Sequence, residues 1–154
     1  SRGSIVPFFL EQIKKKMTLT ITDKRMTRFN ISLEEGVNMV LWSIKNSKGG
    51  EIFVPKLPSF RVTDLINAMS ANVKTKIIGI RPGEKIHEDM ITNADAQNTI
   101  DLGRYFAILP DSQQLNKKYP KAKRVKNNFY YNSGNNEKFL SVPELRKEIL
   151  KFKR

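Results

Sequence analysis

Two serine–glutamate pairs, Ser32 with Glu35 and Ser141 with Glu144, constrain the fold of this chain most, because each stands directly ahead of an apolar-periodic stretch. In such a capping box the serine hydroxyl and the glutamate carboxylate each satisfy a backbone N–H that a helix start leaves unpaired. The first pair predicts a helix from Ser32 to about Asn46, with Val37, Val40, Leu41 and Ile44 turned inward and Gly49-Gly50 closing the unit. The second predicts a terminal helix with an apolar stripe of Leu145, Ile149 and Phe152. Ahead of them, Pro7 falls in the first turn of a helix from about Ser4 to Lys16, with Ser4 as N-cap and Ile5, Phe8, Phe9 and Ile13 on its apolar side.

Between these helices the pattern shortens to strand length. Leu19 to Thr22 and Thr27 to Ile31 read as strands separated by the polar Asp23-Lys24-Arg25 turn. Glu51 to Val54, Lys74 to Ile80 and Arg104 to Leu109 read likewise, the last closed by Pro110. Val62 to Ser70 predicts a helix in which Leu65, Ile66 and Met69 pack together, and Glu84 to Met90 a short helix after Pro82-Gly83. Helices and strands alternate, so the expected class is mixed α/β, a small sheet with helices. No internal repeat is apparent.

A chain of 154 residues with 39% hydrophobic content is of single-domain size and buries a moderate core. The absence of cysteine excludes disulfides, thiolate metal sites and a cysteine nucleophile, and a single histidine excludes a multi-histidine metal site. No apolar run reaches membrane-spanning length and no signal-peptide order opens the sequence, so the expectation is a cytoplasmic protein without membrane contact. Ser1 stands where a methionine would, and Ser1-Arg-Gly-Ser4 runs straight into an amphipathic segment, as a fragment or processed piece would.

The net charge of +13 is unevenly spread. Residues 1–111 hold 16 basic and 12 acidic residues, whereas 112–154 hold 12 and 3, and six of the basic ones fall between Lys117 and Lys126. The chain therefore divides into a ligand-binding portion over 1–111, a basic linker over 112–136 and a C-terminal helix over 137–154. The run itself reads as a solvated segment or as a polyanion-binding arm.

The stretch from Ile77 to Ile91 carries the sharpest chemical signal. A strand-like apolar run empties into Arg81-Pro82-Gly83-Glu84, placing a guanidinium and a carboxylate on one corner. The planar fork of arginine suits phosphate oxygens and a carboxylate suits ribose hydroxyls, so the pair can hold two parts of one nucleotide. By itself the pattern equally describes a turn with solvated charges. No G-x-G-x-x-G turn occurs, so the sequence offers no dinucleotide site. Tyr119-Pro-Lys-Ala-Lys123 has the Tyr-x-x-x-Lys spacing of a reductase pair, but Pro120 interrupts the helix that would bring lysine beside tyrosine, and the match reads as chance. His87 has no serine, cysteine or second histidine at a suggestive spacing and reads as structural.

Taken in order, Ser1 to Phe9, Ile21-Thr-Asp-Lys-Arg-Met-Thr-Arg-Phe29, Ser32 to Gly36, Gly50-Glu-Ile-Phe-Val-Pro55, Arg81 to Glu88 and Tyr131-Asn-Ser-Gly-Asn-Asn136 resemble the C-terminal part of the extended short-chain dehydrogenase/reductases. The likeness is to the inverting UDP-N-acetylglucosamine 4,6-dehydratases and CapD-like polysaccharide biosynthesis proteins. The resemblance implies a UDP-sugar-binding portion of a dehydratase (a lyase) or 4-epimerase of polysaccharide or glycan biosynthesis. In that family an N-terminal Rossmann half holds NAD(P) and the catalytic Tyr, Lys and acidic residue. This chain lacks that half, so no catalytic residue, no metal site and no cofactor is expected on it, and it is expected to be inactive alone.

The resemblance also assigns residues. Ser4 and Ile5 lie where a helix N-terminus meets the diphosphate, Thr22 and Asp23 lie near uracil, and Arg25 and Arg28 are candidates for phosphate or base contacts. Arg81 matches the arginine that grips the diphosphate and Glu84 the carboxylate that accepts from ribose. The implied partners are a UDP-sugar, the missing Rossmann half and, since relatives often assemble, further copies of the chain. The alternative is a small basic nucleic-acid-binding module using the basic segment and Tyr130-Tyr131 as a stacking surface.

Overall fold

The computed structural model describes residues 5–70, 72–111 and 118–152, with side chains through 151. The Ser4 cap and the Phe152 side chain thus lie outside the described residues. Helices α1 (Ile5–Lys14), α2 (Leu33–Asn46), α3 (Val62–Met69), α4 (Asn93–Ala96) and α5 (Val142–Phe152) alternate with ten short strands, so the class is mixed α/β as the alternation predicts. The strands are β1 (Leu19–Ile21), β2 (Thr27–Phe29), β3 (Ile52–Pro55), β4 (Ser59–Arg61), β5 (Thr75–Ile77), β6 (Asp89–Ile91), β7 (Thr99–Asp101), β8 (Tyr105–Ile108), β9 (Lys123–Arg124) and β10 (Tyr131–Asn132).

Their pairing builds one four-stranded sheet, β3-β8-β7-β9, and three two-stranded ones. In these, β1 runs parallel to β5, while β2 pairs with β4 and β6 with β10 antiparallel. The main core gathers Phe9 of α1, Leu19 and Ile21 of β1, Phe60 of β4, Val62, Leu65 and Ile66 of α3, and Leu145 and Ile149 of α5. A second cluster joins Val54, Ile91, Phe106 and Tyr131, with Phe29 of β2 packed against it, stitching three of the sheets together. Residues 118–132, in the stretch that reads as a linker, contribute β9, β10 and the buried Tyr119 and Tyr131.

Both capping boxes act at helix starts. Glu35 N–H donates to Ser32 Oγ at 3.1 Å, while Ser32 N–H donates to the Glu35 carboxylate at 2.8 Å. At α5 the Glu144 carboxylate accepts from both the N–H and the hydroxyl of Ser141, at 2.8 and 2.6 Å.

Two expectations are corrected. Residues 84–88 form no helix and 89–91 form strand β6: Glu88 N–H donates to Ser133 Oγ, Ser133 N–H donates to Glu88 O, and the Glu88 carboxylate accepts Phe29 N–H. Tertiary partners thus take the backbone groups a helix would need. The second correction concerns the facing of α2. It turns Gly36, Met39, Trp42, Ser43 and Asn46 toward the protein, with the Trp42 ring 5.1 Å from Phe53 and 4.3 Å from Tyr105. Val37, Val40, Leu41 and Ile44 lie on the opposite face and are exposed, so the stripe expected inward points outward.

Candidate functional site: a cleft beside the Arg81 corner

The Arg81 corner is a β-turn whose shape follows from its sequence. Glu84 N–H donates to Arg81 O at 3.0 Å, Pro82 presets the first central φ, and Gly83 supplies the positive φ of 80° that the second requires. Glu84 is folded back over this turn: one carboxylate oxygen accepts the Thr22 hydroxyl at 2.9 Å and the other lies 3.4 Å from Arg81 N. A contact between residues so distant in sequence joins the corner to the end of β1.

The corner is held from below by Arg28 of β2. Its guanidinium donates to Thr27 O at 2.7 Å, Ile86 O at 3.1 Å and Lys85 O at 3.3 Å, and its Nε lies 3.7 Å from Glu88 Oε1. The fixed fork of arginine suits this bridging of several carbonyls. Further along, the Thr27 hydroxyl meets His87 Nδ1 and Ser133 Oγ, each at 2.7 Å. Gly134 lies against the imidazole so closely that an added Cβ would stand 2.5 Å from Nδ1. His87 is therefore a packing and hydrogen-bonding residue, as its isolation in the sequence suggests.

A cleft of about 1270 Å³ opens between this corner, the N-terminal end of α1 and α5. Ile5, Thr22, Arg28, Arg81 and Glu84 all line it, so five of the eight residues singled out from the sequence meet in one cavity. Asp23 and Arg25 do not line it; they pair with each other, Nη2 to Oδ2 at 2.7 Å and Nε to Oδ1 at 3.0 Å. The hydrogen bonds from Arg25 hold the Asp23 carboxyl down at about 2. Ser4 lies outside the described residues. Glu88 lines the cleft too, as do Glu148 and Lys151 of α5, an ion pair at 2.7 Å. Their position follows from the packing of α3 on α5, which no local signal announces.

The cleft combines an arginine, a carboxylate, a hydroxyl and the start of a helix with an apolar floor that includes Phe9, Ile21 and Leu65. Such a set suits an elongated anionic ligand with a polar ring at one end. Among the described residues the glycines at positive φ sit in turns, after a helix and, for Gly79, just beyond β5, and the sequence has no strand-to-helix G-x-G-x-x-G turn that a dinucleotide pyrophosphate would approach. The residues present therefore do not fit the glycine-rich pyrophosphate turn of a dinucleotide site. Among the described residues no cluster of His, Cys, Asp or Glu could hold a metal ion, and no helix is long and apolar enough to cross a membrane. The Tyr119 hydroxyl donates to Glu51 at 3.0 Å, and burial pushes its pKa up, which does not suit the activated tyrosine of a reductase pair. Tyr131 is buried with its hydroxyl at 2.9 Å from Leu57 N, so it offers no stacking surface.

Comparison with known proteins gives the chain its family. The inverting UDP-N-acetylglucosamine 4,6-dehydratase of Campylobacter jejuni is 46% identical over 154 residues, a match covering 94% of this chain and 46% of that enzyme. The UDP-glucose 4-epimerase of Rickettsia canadensis is 40% identical over 120 residues, covering 75% of this chain and 35% of the epimerase. The X-ray structure of Pen from Bacillus thuringiensis superposes with a TM-score of 0.81 at 34% identity, over 99% of this chain and 47% of Pen. The chain spans about half the length of the curated dehydratase it matches. The family described as polysaccharide biosynthesis protein matches residues 1–110, most of the 154, and the chain belongs to it.

Proposed function

We propose that this chain is the UDP-sugar-binding portion of a nucleotide-sugar dehydratase or epimerase, working with a second portion that carries NAD(P) and the reacting side chains. The observation that carries this reading is the convergence of Arg81, Glu84 and Thr22 on one cleft beside the start of α1. In the proposed complex the Arg81 guanidinium grips the diphosphate through charge-assisted hydrogen bonds, and the amides at the start of α1, near Ile5, face the same anion. Glu84 accepts from a ribose hydroxyl; a carboxylate has lone pairs enough to keep its bond to Thr22 as well. Thr22 then lies toward the base.

Arg28 acts in this scheme by holding the 85–86 backbone against β2, so that the corner keeps its shape when the ligand arrives. Asp23 and Arg25 flank the base end as a paired unit. A hydride and proton step belongs to the other portion, and the chain alone is expected to be inactive. A cytoplasmic location belongs to the same proposal.

The test is calorimetry with UDP on a protein in which this chain completes the cofactor-bearing part of the C. jejuni dehydratase. Arg81→Ala should weaken binding by about 1.5–3 kcal/mol, the scale of a hydrogen bond to a charged group. Unchanged UDP affinity would remove Arg81 from the site.

A further inference from the structure

The bonds that set the direction of the Arg81 corner come from outside it. Among the described residues nothing stands within 4 Å of where a Cβ would lie on Gly79 or Gly83, and both glycines take a positive φ, of 84° and 80°. A turn with one such glycine ahead of it and one inside it, both in open space, has little of its own to fix where it points. One flank is tied to β1, where Ile78 N–H donates to Ile21 O at 2.9 Å. The other flank, residues 85–88, is tied to β2 and to Ser133.

Ser133 is fully buried and stands just after β10, beyond the residues 1–110 that the polysaccharide biosynthesis family matches. It holds both backbone groups of Glu88: its N–H donates to Glu88 O and its Oγ accepts Glu88 N–H, each at 2.9 Å. The same hydroxyl donates to Thr27 O at 3.0 Å and lies 2.7 Å from Thr27 Oγ. With its one hydrogen given to Thr27 O, Ser133 accepts from the Thr27 hydroxyl, which in turn accepts from His87 Nδ1. Its loop is itself anchored. Asn132 Oδ1 accepts the N–H groups of Gly134 and Asn135 at 2.7 and 2.8 Å, and Asn136 Nδ2 donates to Leu57 O at 2.6 Å and Ser59 Oγ at 2.9 Å.

We propose that Ser133 is a positioning residue for the nucleotide: through Glu88 and Thr27 it fixes the 85–88 backbone, and so holds Arg81 and Glu84 at the separation that a diphosphate and a ribose require. The inference rests on the ligand roles given to Arg81 and Glu84 above. Ser133 does not line the cleft, so its effect reaches the ligand only through the corner. Loss of its hydroxyl leaves Glu88 N–H without its acceptor, and the backbone that carries the corner loosens.

The experiment is calorimetry with UDP on the same two-portion protein, run as a double-mutant cycle. Ser133→Ala should lower UDP affinity about tenfold, the scale of one hydrogen bond left unmade. In the Arg81→Ala background the same change should cost only about twofold, because the corner that Ser133 orients has lost its main contact. Ser133→Cys keeps nearly the same shape and bonds weakly, so it should fall between alanine and wild type, and it carries the test if the alanine variant does not fold. Ile100→Val, in a core cluster that does not reach the cleft, should lower the melting temperature and leave UDP affinity unchanged. Wild-type affinity in the Ser133 variants, an undiminished loss when Arg81 is already replaced, or an equal loss in Ile100→Val would each overturn the proposal. Unchanged affinity in Arg81→Ala alone would instead remove the ligand role of the corner, and the proposal with it.

Discussion

Single residues fix the shape of the Arg81 corner before any ligand arrives. Gly83 provides the left-handed φ and Arg28 the three carbonyl bonds, but the tightest constraint is Gly134, whose missing side chain leaves room for the His87 ring. Gly134→Ala should force the imidazole off Thr27 and cost about 1–3 kcal/mol, the scale of overpacking, read as a lowered urea midpoint. An unchanged midpoint would mean that His87 yields freely. At this scale the sequence was informative where chemistry is local, as at the Pro82-Gly83 turn, but it did not announce the pairing of Asp23 with Arg25. It was silent on the bond between Thr22 and Glu84 and on the commitment of Arg28 to backbone, because both depend on segments brought together by folding. Arg28, a candidate for phosphate or base contacts, lines the cleft while bonding to that backbone.

The two helices with marked capping boxes began where the sequence placed them, because caps are local, and their packing partners were hidden, because partners are not. The α2 helix starts at its box as expected, yet its apolar stripe was assigned to the inside: periodicity finds an apolar face without saying which body covers it. Residues 84–90 read as a helix because charged residues after Pro-Gly resemble a helix start, whereas Ser133 captures the backbone of Glu88 and Phe29 N–H its carboxylate. The caps also make a pH prediction. Hydrogen bonds from Ser32 depress the Glu35 carboxyl, those from Thr92 depress Asp95 and those from Ser141 depress Glu144. Since these carboxyls bind protons more weakly folded than unfolded, the stability they give is complete above the ordinary carboxylate values near 4 and is lost as pH falls through their lower folded values. Thermal melting should therefore drop between pH 6 and about pH 3, and drop less in Glu35→Gln, which keeps a capping partner that does not titrate. Melting that ignores pH in this window would contradict the depressed carboxyls.

On the scale of the whole molecule, three small sheets and one of four strands are joined through shared clusters instead of one continuous sheet. That arrangement leaves α2 bare on one side and the cleft open. The basic segment takes a modest place in it: Lys123 and Arg124 form the edge strand β9, where charge discourages pairing with another chain, and Lys48 lies over the Tyr119 ring at 4.5 Å. The central claim is that a nucleotide sugar lies along the cleft with its diphosphate at Arg81. Hydrogen exchange of the completed two-portion protein with and without UDP tests it most directly: protection should rise in residues 19–29 and 78–88, and unchanged exchange there, or protection confined to residues 118–132, would contradict it.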